Sequence, residues 1–412
     1  MGKRFRAKMS ARDRLTIHIK SRKTNTWWVS VIACIIILVI LCMMGVWGKI
    51  NKVQAPAYLT DESIEFRLTV TGDIQIDEFT RKQANKIGYK ALFRGVREYW
   101  ADSDYVMANV NGPILRYNEE NYTSTREWEE ESLYLRPAAL RGMVDAGINL
   151  LSFANDEVYN YGTTGITSTL GLLNEVEIDY LGIAENTEEA LYKVFPVGEI
   201  SQADPSELLS ESESAGDNVV VNRDAAVAVM SVNDVIINRS TVRADRAGVI
   251  NSSLEGLYQT IYELSQLHEQ VVVYIHFGEQ NSENPSEEQR EVAHALVDAG
   301  ATLVIGTHTH MLQSAEIYND SLIVYGLGDL VTSDSYSIQL DSALLDLVVK
   351  DGETQVYFTP LRIQEGRPVV TEQMLYQKRI QNTLTAELDE GSYLITEDGL
   401  IQIVLRSTST QN

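Results

Sequence analysis

The chain has 412 residues, enough for one large or two modest domains, and its 44% hydrophobic, 22% charged composition is that of a folded protein. This composition excludes a wholly disordered, collagen-like or disulfide-rich chain. A formal net charge of −24 disfavours general nucleic-acid binding, which needs a basic footprint. The charge is unevenly placed: residues 1–26 carry nine Lys/Arg and one acid, Asp13, and removing that +8 tail leaves −32 on residues 49–412.

Residues 27–48 follow the basic tail and include 21 uncharged residues from Trp27 to Trp47, with Trp27, Trp28 and Trp47 at the ends. At 1.5 Å per residue such a run reaches across a hydrocarbon core of ~30 Å, so the pattern predicts one transmembrane anchor. The positive-inside rule then keeps residues 1–26 cytoplasmic and puts the rest outside. Both cysteines, Cys34 and Cys42, fall inside this run, so residues 49–412 have no disulfide and must rely on their core.

Residues 49–63 read as a polar stalk. Beyond it apolar runs alternate with amphipathic stretches, which predicts an α/β fold. Strands are expected at Glu65–Thr71, Tyr105–Val110, Asn149–Phe153, Asp179–Gly182, Ala225–Ser231, Val271–His276, Thr302–Ile305 and Leu322–Tyr325. Helices are expected at Thr80–Tyr99, Pro137–Ala146, Thr163–Asn174, Ser253–His268 and Ser286–Ala299. Ala343–Val349 and Thr354–Thr359 lack an intervening helix and read as antiparallel. The Ser/Glu/Asp-rich stretch 202–217 has no periodicity and reads as an acidic loop. Residues 64–365 form the main domain and 366–412 a C-terminal extension, with a hairpin around Tyr393–Leu405.

In open α/β sheets ligands bind beyond the carboxyl ends of strands, and polar residues cluster at those places here. They are Asp73, then Asn109 and Asn111, then Asn155, Asp156 and Glu157, then His276, then His308 and His310, and finally Asp329. Of six histidines, His18 lies in the basic tail, His268 and His294 on expected helices, and the other three at strand ends. Asp73, Asp156, Glu157, His276, His308 and His310 make an N/O donor set suited to divalent Mn, Fe, Zn or Mg. Two such ions a few Å apart can clamp a phosphoryl or similar oxygen.

At these residues the chain resembles the CapA/PgsA family of poly-γ-glutamate capsule synthesis proteins, from about Phe66 to Arg362. HFGEQ (from His276) resembles the family's HWGEE. QREVAHALVDAGATLVIGTHTHMLQ (from Gln289) resembles its Q-R-x-x-A-H-x-L-I-D-A-G-A-D-x-V-I-G-x-H-P-H-x-x-Q. VYGLGD (to Asp329) resembles its YSLGNF. Upstream, VTGD (to Asp73) resembles a GD motif, ADSDYVMANVNGP its A-D-x-x-x-x-N-L-E-G-P, and FANDEVYNYGTTG its A-N-N-H-x-x-D-Y-G-x-x-G. The resemblance implies a layered α/β sandwich like that of calcineurin-like metallophosphatases, and a part in making, exporting or anchoring a capsule polymer.

Five positions depart from the family pattern. Asn111 stands for its Glu, Asp156-Glu157 for its Asn-His, Asn160 for its Asp and Asp329 for its Asn. The lost His would, by resemblance, protonate a leaving oxygen; Glu157, with His276 and His308, is the candidate catalytic set. Two readings stay open. In one, a membrane-anchored assembly protein with a partly altered site works beside a membrane synthase or exporter, with an anionic polymer as a further partner. In the other, a retuned site makes an active metal-dependent hydrolase of phosphoesters or polymer amides. Binding a polyanion to a body of charge −32 would need a basic patch or bridging cations; the densest candidate is Asn238–Arg246.

Overall fold

The computed structural model describes residues 28–37, 39, 61, 63–116, 133–187, 189, 191–198, 224–235 and 240–405. The basic tail, most of the stalk, the acidic loop 202–217 and part of Asn238–Arg246 lie outside the described residues. Residues 1–53 and 54–412 form two separate units.

The first unit overturns the expected anchor. Among the described residues no helix is long and apolar enough to cross a membrane. The helical residues described there, 28–37 and 39, rise only about 15 Å over their unbroken stretch, half of a ~30 Å hydrocarbon core. Residues 38 and 40–48 lie outside the described residues. With the anchor go the single-pass topology, the external placement of the main domain, and the partners inferred from them: the membrane and its synthase or exporter subunits.

The second unit has the α/β architecture. In chain order it runs β1 (Ile64–Ile74), α1 (Glu78–Ile87), β2 (Tyr105–Val110), α2 (Pro137–Asp145), β3 (Leu150–Ser152), α3 (Gly162–Val176) and β4 (Asp179–Leu181). It continues with β5 (Ile183–Ala184), β6 (Tyr192–Pro196), β7 (Asp224–Asn233), β8 (Gly248–Val249), α4 (Leu257–Leu267), β9 (His268–His276), α5 (Glu287–Asp298) and β10 (Leu303–Thr307). It closes with β11 (Ala315–Tyr318), β12 (Ser321–Val324), β13 (Asp329–Val331), β14 (Asp341–Lys350), β15 (Glu353–Gln364), β16 (Arg367–Val370), α6 (Met374–Leu384), β17 (Leu394–Ile395) and β18 (Ile401–Leu405).

Two mixed sheets dominate the described residues. The larger has the order β17-β18-β15-β14-β1-β2-β3-β4, with β13 also on β1 and β16 also on β15; the smaller has β11-β12-β10-β9-β7-β6. Strands β1 to β4 are parallel, as are β7, β9, β10 and β12. The parallel strands read as continuous apolar runs because both of their faces are covered. Phe66, Leu68 and Val70 of the larger sheet share one core with Val272, Tyr274, Leu303 and Ile305 of the smaller, so the sheets pack face to face. The outer face of the larger sheet is covered by Leu140 and Met143 of α2 and Ile166, Leu170 and Leu173 of α3. Leu257, Ile261 and Leu264 of α4 and Ala293, Leu296 and Val297 of α5 cover the smaller. The result is four layers, helix-sheet-sheet-helix.

Several boundaries differ from the sequence expectation for local reasons. The helix expected over Thr80–Tyr99 stops at Ile87, because Gly88 takes φ 87° and short 3₁₀ turns follow. The helix expected from Ser253 begins at Leu257, after left-handed Gly256, and His268 opens β9 instead of ending that helix. The expected antiparallel pair appears as β14 on β15, and the hairpin as β17 on β18. Residues 366–405 are built into the larger sheet: β16 and β18 both pair with β15, and Ile380 and Leu384 of α6 enter the inter-sheet core.

The carboxyl ends of β1, β2, β3, β9 and β10 meet at one seam. There the Tyr274 hydroxyl donates to the Thr71 carbonyl at 2.7 Å, and the Ser152 and Ser231 hydroxyls lie 2.7 Å apart, each contact joining one sheet to the other. Gly72 is dictated by close packing: a Cβ there would stand 1.9 Å from the Gly328 carbonyl oxygen.

Candidate metal centre

The seam gathers two buried groups of potential ligands. Asp156, His276 and His308 form one, and Asp73, His310 and Asp329 the other. In the first, His276 Nε2 lies 3.1 Å from Asp156 Oδ1 and 2.9 Å from His308 Nδ1, and His308 Nδ1 is 3.8 Å from Asp156 Oδ1. In the second, His310 Nδ1 lies 2.9 Å from Asp329 Oδ1 and 3.4 Å from Asp73 Oδ2. Ligand atoms bound ~2.0–2.2 Å from one tetrahedral ion stand roughly 3–3.5 Å apart, so both groups have nearly the spacing of a coordination shell.

The groups adjoin. The His308 backbone N–H donates to Asp73 Oδ2 at 3.2 Å, and the rings of His308 and His310 are 6.2 Å apart. The short loop after β10 feeds one imidazole to each group. It does so with both histidines in the left-handed region, His308 at φ 86° and His310 at φ 56°. Such backbone costs of order 1–3 kcal/mol per residue and persists where the surroundings hold it, as at ligand clamps.

Charge argues for a cation. In parallel register β1 sets Asp73 beside Asp329 of β13, and both are 0% exposed. Burial pushes the Asp329 carboxyl above its ordinary value. Burial alone would lower the His310 imidazole, but the charge and hydrogen bond of Asp329, aided by Asp73, raise it to about 9. The second oxygen of Asp329, Oδ2, is buried with no hydrogen-bond partner. Two buried carboxylates, one orphaned oxygen and facing ring nitrogens fit a divalent metal.

An amide lattice carries these groups. Asn109 Nδ2 donates to Asp73 Oδ1 at 2.7 Å and to Asn111 Oδ1 at 2.6 Å. Asn155 Nδ2 donates to Asn109 Oδ1 at 3.1 Å and to the Val110 carbonyl at 2.8 Å. Asn109, Asn111 and Asn155 thus support Asp73 and belong to neither ligand group. Glu157, expected as a ligand, is likewise in neither group; its carboxylate accepts a hydrogen bond from Asn160. Asp329, expected only as a nearby polar residue, has the ligand geometry. Gln75 was missed; its amide nitrogen lies 2.7 Å from His310 Nδ1, and its only sequence signal is its place two residues beyond Asp73. His294, on α5 as expected, lies away from the seam and meets Glu316 at 3.1 Å.

Two departures from the family motifs fall within these groups. The carboxylate missing at Asn111 is matched by carboxylates at Asp156 and Asp329, where the motifs have amides, and each enters one group.

The bacterial capsule synthesis protein family PGA_cap matches residues 67–334, about two thirds of the chain and every ligand above. The chain is 26% identical over 409 residues to the capsule biosynthesis protein CapA of Bacillus anthracis, covering 97% of this chain and 92% of that one. It is 26% identical over 370 residues to the PGA biosynthesis protein CapA of Bacillus subtilis strain 168, covering 89% of each. A solved structure, TT1561 of Thermus thermophilus, overlaps 69% of this chain and 98% of its own, at TM-score 0.35 and 11% identity, too loose to carry fold or function. With a family match across both ligand groups and the sheets that position them, the chain belongs to the bacterial capsule synthesis protein family PGA_cap.

Proposed function

We propose that the protein is a metal-dependent hydrolase of capsule synthesis, acting on a phosphoester or an amide of the polymer or its precursors. The observation that carries this is the pair of adjoining buried ligand groups, with Asp156 and Asp329 supplying charge where the family motifs have amides. A site that had merely decayed would have no reason to set a second buried carboxylate, Asp329, beside Asp73, since unpaired buried charge is costly. The reading as an anchored assembly protein with a partly altered site is set aside with its anchor.

Asp156, His276 and His308 would hold one divalent ion and Asp73, His310 and Asp329 the other. Bound there, such ions supply Lewis acidity toward a substrate oxygen. Asn109 fixes the rotamer of Asp73, and the His308 backbone N–H orients its second oxygen. Glu157, next to Asp156 and 9% exposed, takes the place of the family's proton donor; a buried carboxyl can deliver a proton to a leaving oxygen. Asn160 holds that carboxylate in place.

The test is turnover by the full chain supplied with Mn, Fe, Zn or Mg, on phosphoesters and on γ-glutamyl amides. Metal-dependent hydrolysis of one class, abolished in Asp73→Ala and His308→Ala, supports the reading. Metal-independent turnover, or none on either class, overturns it.

A further inference from the structure

We infer that Thr307 is a positioning residue that fixes the His276 imidazole as a ligand, by holding its proton on Nδ1. The inference deepens the hydrolase reading and rests on it for its consequence in catalysis, though the contact itself is independent of substrate. Thr307 ends β10 in direct parallel register with His276, which ends β9, and both are 2% exposed.

The Thr307 hydroxyl has two polar neighbours. Its oxygen lies 3.4 Å from the Ile275 carbonyl and 3.0 Å from His276 Nδ1. A carbonyl oxygen can only accept, and on this inference the single hydroxyl proton turns to Ile275. The hydroxyl oxygen is then left to accept, and the group it accepts from is Nδ1–H. A neutral imidazole with its proton on Nδ1 has its lone pair on Nε2. Nε2 is the atom that faces Asp156 and His308 at 3.1 and 2.9 Å. The opposite tautomer would put an N–H where a ligand lone pair belongs.

The fold leaves little freedom for a substitute. With His276 buried between the sheets, no solvent shell is at hand to replace the hydroxyl, so removing it leaves a buried ring N–H without its acceptor. The general expectation for the partner that orients a ligating histidine is a loss of roughly ten- to a hundredfold in metal affinity. Thr307 precedes the His-x-His motif by one residue, so one short segment would supply two ligands and the group that prepares a third. The same β-branched residue also suits a buried strand, so its type alone does not mark the role.

The experiment compares the full chain with Thr307→Val, which keeps shape and removes the hydroxyl, and Thr307→Ser, which keeps the hydroxyl. Mn and Zn affinities are read by equilibrium titration, and folding by thermal melts after chelation. The ring tautomer is read from long-range ¹H–¹⁵N histidine spectra of chelator-treated and zinc-loaded protein, with His276→Gln assigning the signal. The expected result is Nδ1–H in the parent, affinity roughly ten- to a hundredfold weaker in Thr307→Val, and near-parent affinity in Thr307→Ser. Thr307→Ala replaces Thr307→Val if the latter does not fold. A folded Thr307→Val that binds as tightly as the parent, or a parent tautomer with the proton on Nε2, overturns the inference. A parent that takes up no divalent ion would instead sink the hydrolase reading, and the tautomer in chelator-treated protein would then decide the role of Thr307.

Discussion

His276 Nε2 and His308 Nδ1 face one another at 2.9 Å inside the seam between the two sheets. Two lone pairs at that distance repel, and only a proton or a cation between or beside them makes the arrangement favourable. A cation also satisfies Asp156, 3.1 Å from the same Nε2. Divalent ions should therefore stabilise the native state by mass action, adding about 2.7 kcal/mol at a hundred times the dissociation constant. Thermal melts of the full chain should rise with added Mn or Zn and fall on chelation. In the Asp73→Ala/His308→Ala/His310→Ala variant they should not respond.

The His310–Asp329 pair gives the metal-free protein a defined pH dependence. His310 is raised to about 9 from an ordinary 6.5, so the folded state holds its proton more tightly than the unfolded chain. Its contribution is fully present below pH 6.5 and is lost as pH rises through about 9. Chemical denaturation with chelator should show this fall in stability between those limits. Asp329→Asn removes the main cause and should flatten it. Because metal must displace the same proton, divalent affinity should climb over the same interval.

Glu157 separates proton delivery from metal binding. It lies in neither ligand group, so Glu157→Gln should keep the parent's metal content while lowering kcat by roughly 10²–10⁴-fold, the usual worth of a general acid. Elemental analysis beside steady-state rates checks both halves. Equal loss of metal and rate would make Glu157 a ligand instead.

Away from the site, a buried ion pair lies within the larger sheet. Arg67 and Asp346 meet at 3.0 Å with side chains 2% and 0% exposed, and Thr69 also donates to Asp346. Arg67→Leu strands that carboxylate inside the larger sheet and should cost about 3–5 kcal/mol, read by denaturant titration. The double change Arg67→Leu/Asp346→Leu should recover most of it.

Gly72 is expected to tolerate nothing larger. Gly72→Ala sets a methyl 1.9 Å from the Gly328 carbonyl, and backbone cannot swing aside as a side chain can. A loss of about 1–3 kcal/mol or more is expected, and weaker metal binding with it, since the same approach sets Asp73 beside Asp329.

The members of the two groups that residue type announces were legible: His276, His308, His310, Asp73 and Asp156 stand at strand ends with nearby glycines or a His-x-His spacing. Asp329 was harder to read, because its role comes from β13 pairing with β1 across more than 250 residues, which no local pattern records. Glu157 lies outside both groups: a 3₁₀ turn begins at it, and its carboxylate meets Asn160. Gln75 and Thr307 act through side-chain contacts to His310 and His276, which no local sequence pattern records. In the fold, the strands of β1, β2, β9 and β10 followed from their apolar runs. The break at Gly88 and the enrolment of residues 366–405 in the larger sheet depended on tertiary pairing.

Each ligand group takes members from both sheets. Asp156 comes from the larger and His276 and His308 from the smaller; Asp73 and Asp329 come from the larger and His310 from the smaller. The contact between Asp156 and His276 closes 120 residues of chain, and that between Asp73 and His308 closes 235. Residues 49–412 contain no cysteine, so no disulfide can fasten these layers. A cation in either group is thus a reversible cross-link across the sandwich, and its loss should be felt first as slippage between sheets, with amide exchange quickening along the seam while each sheet's own ladder holds.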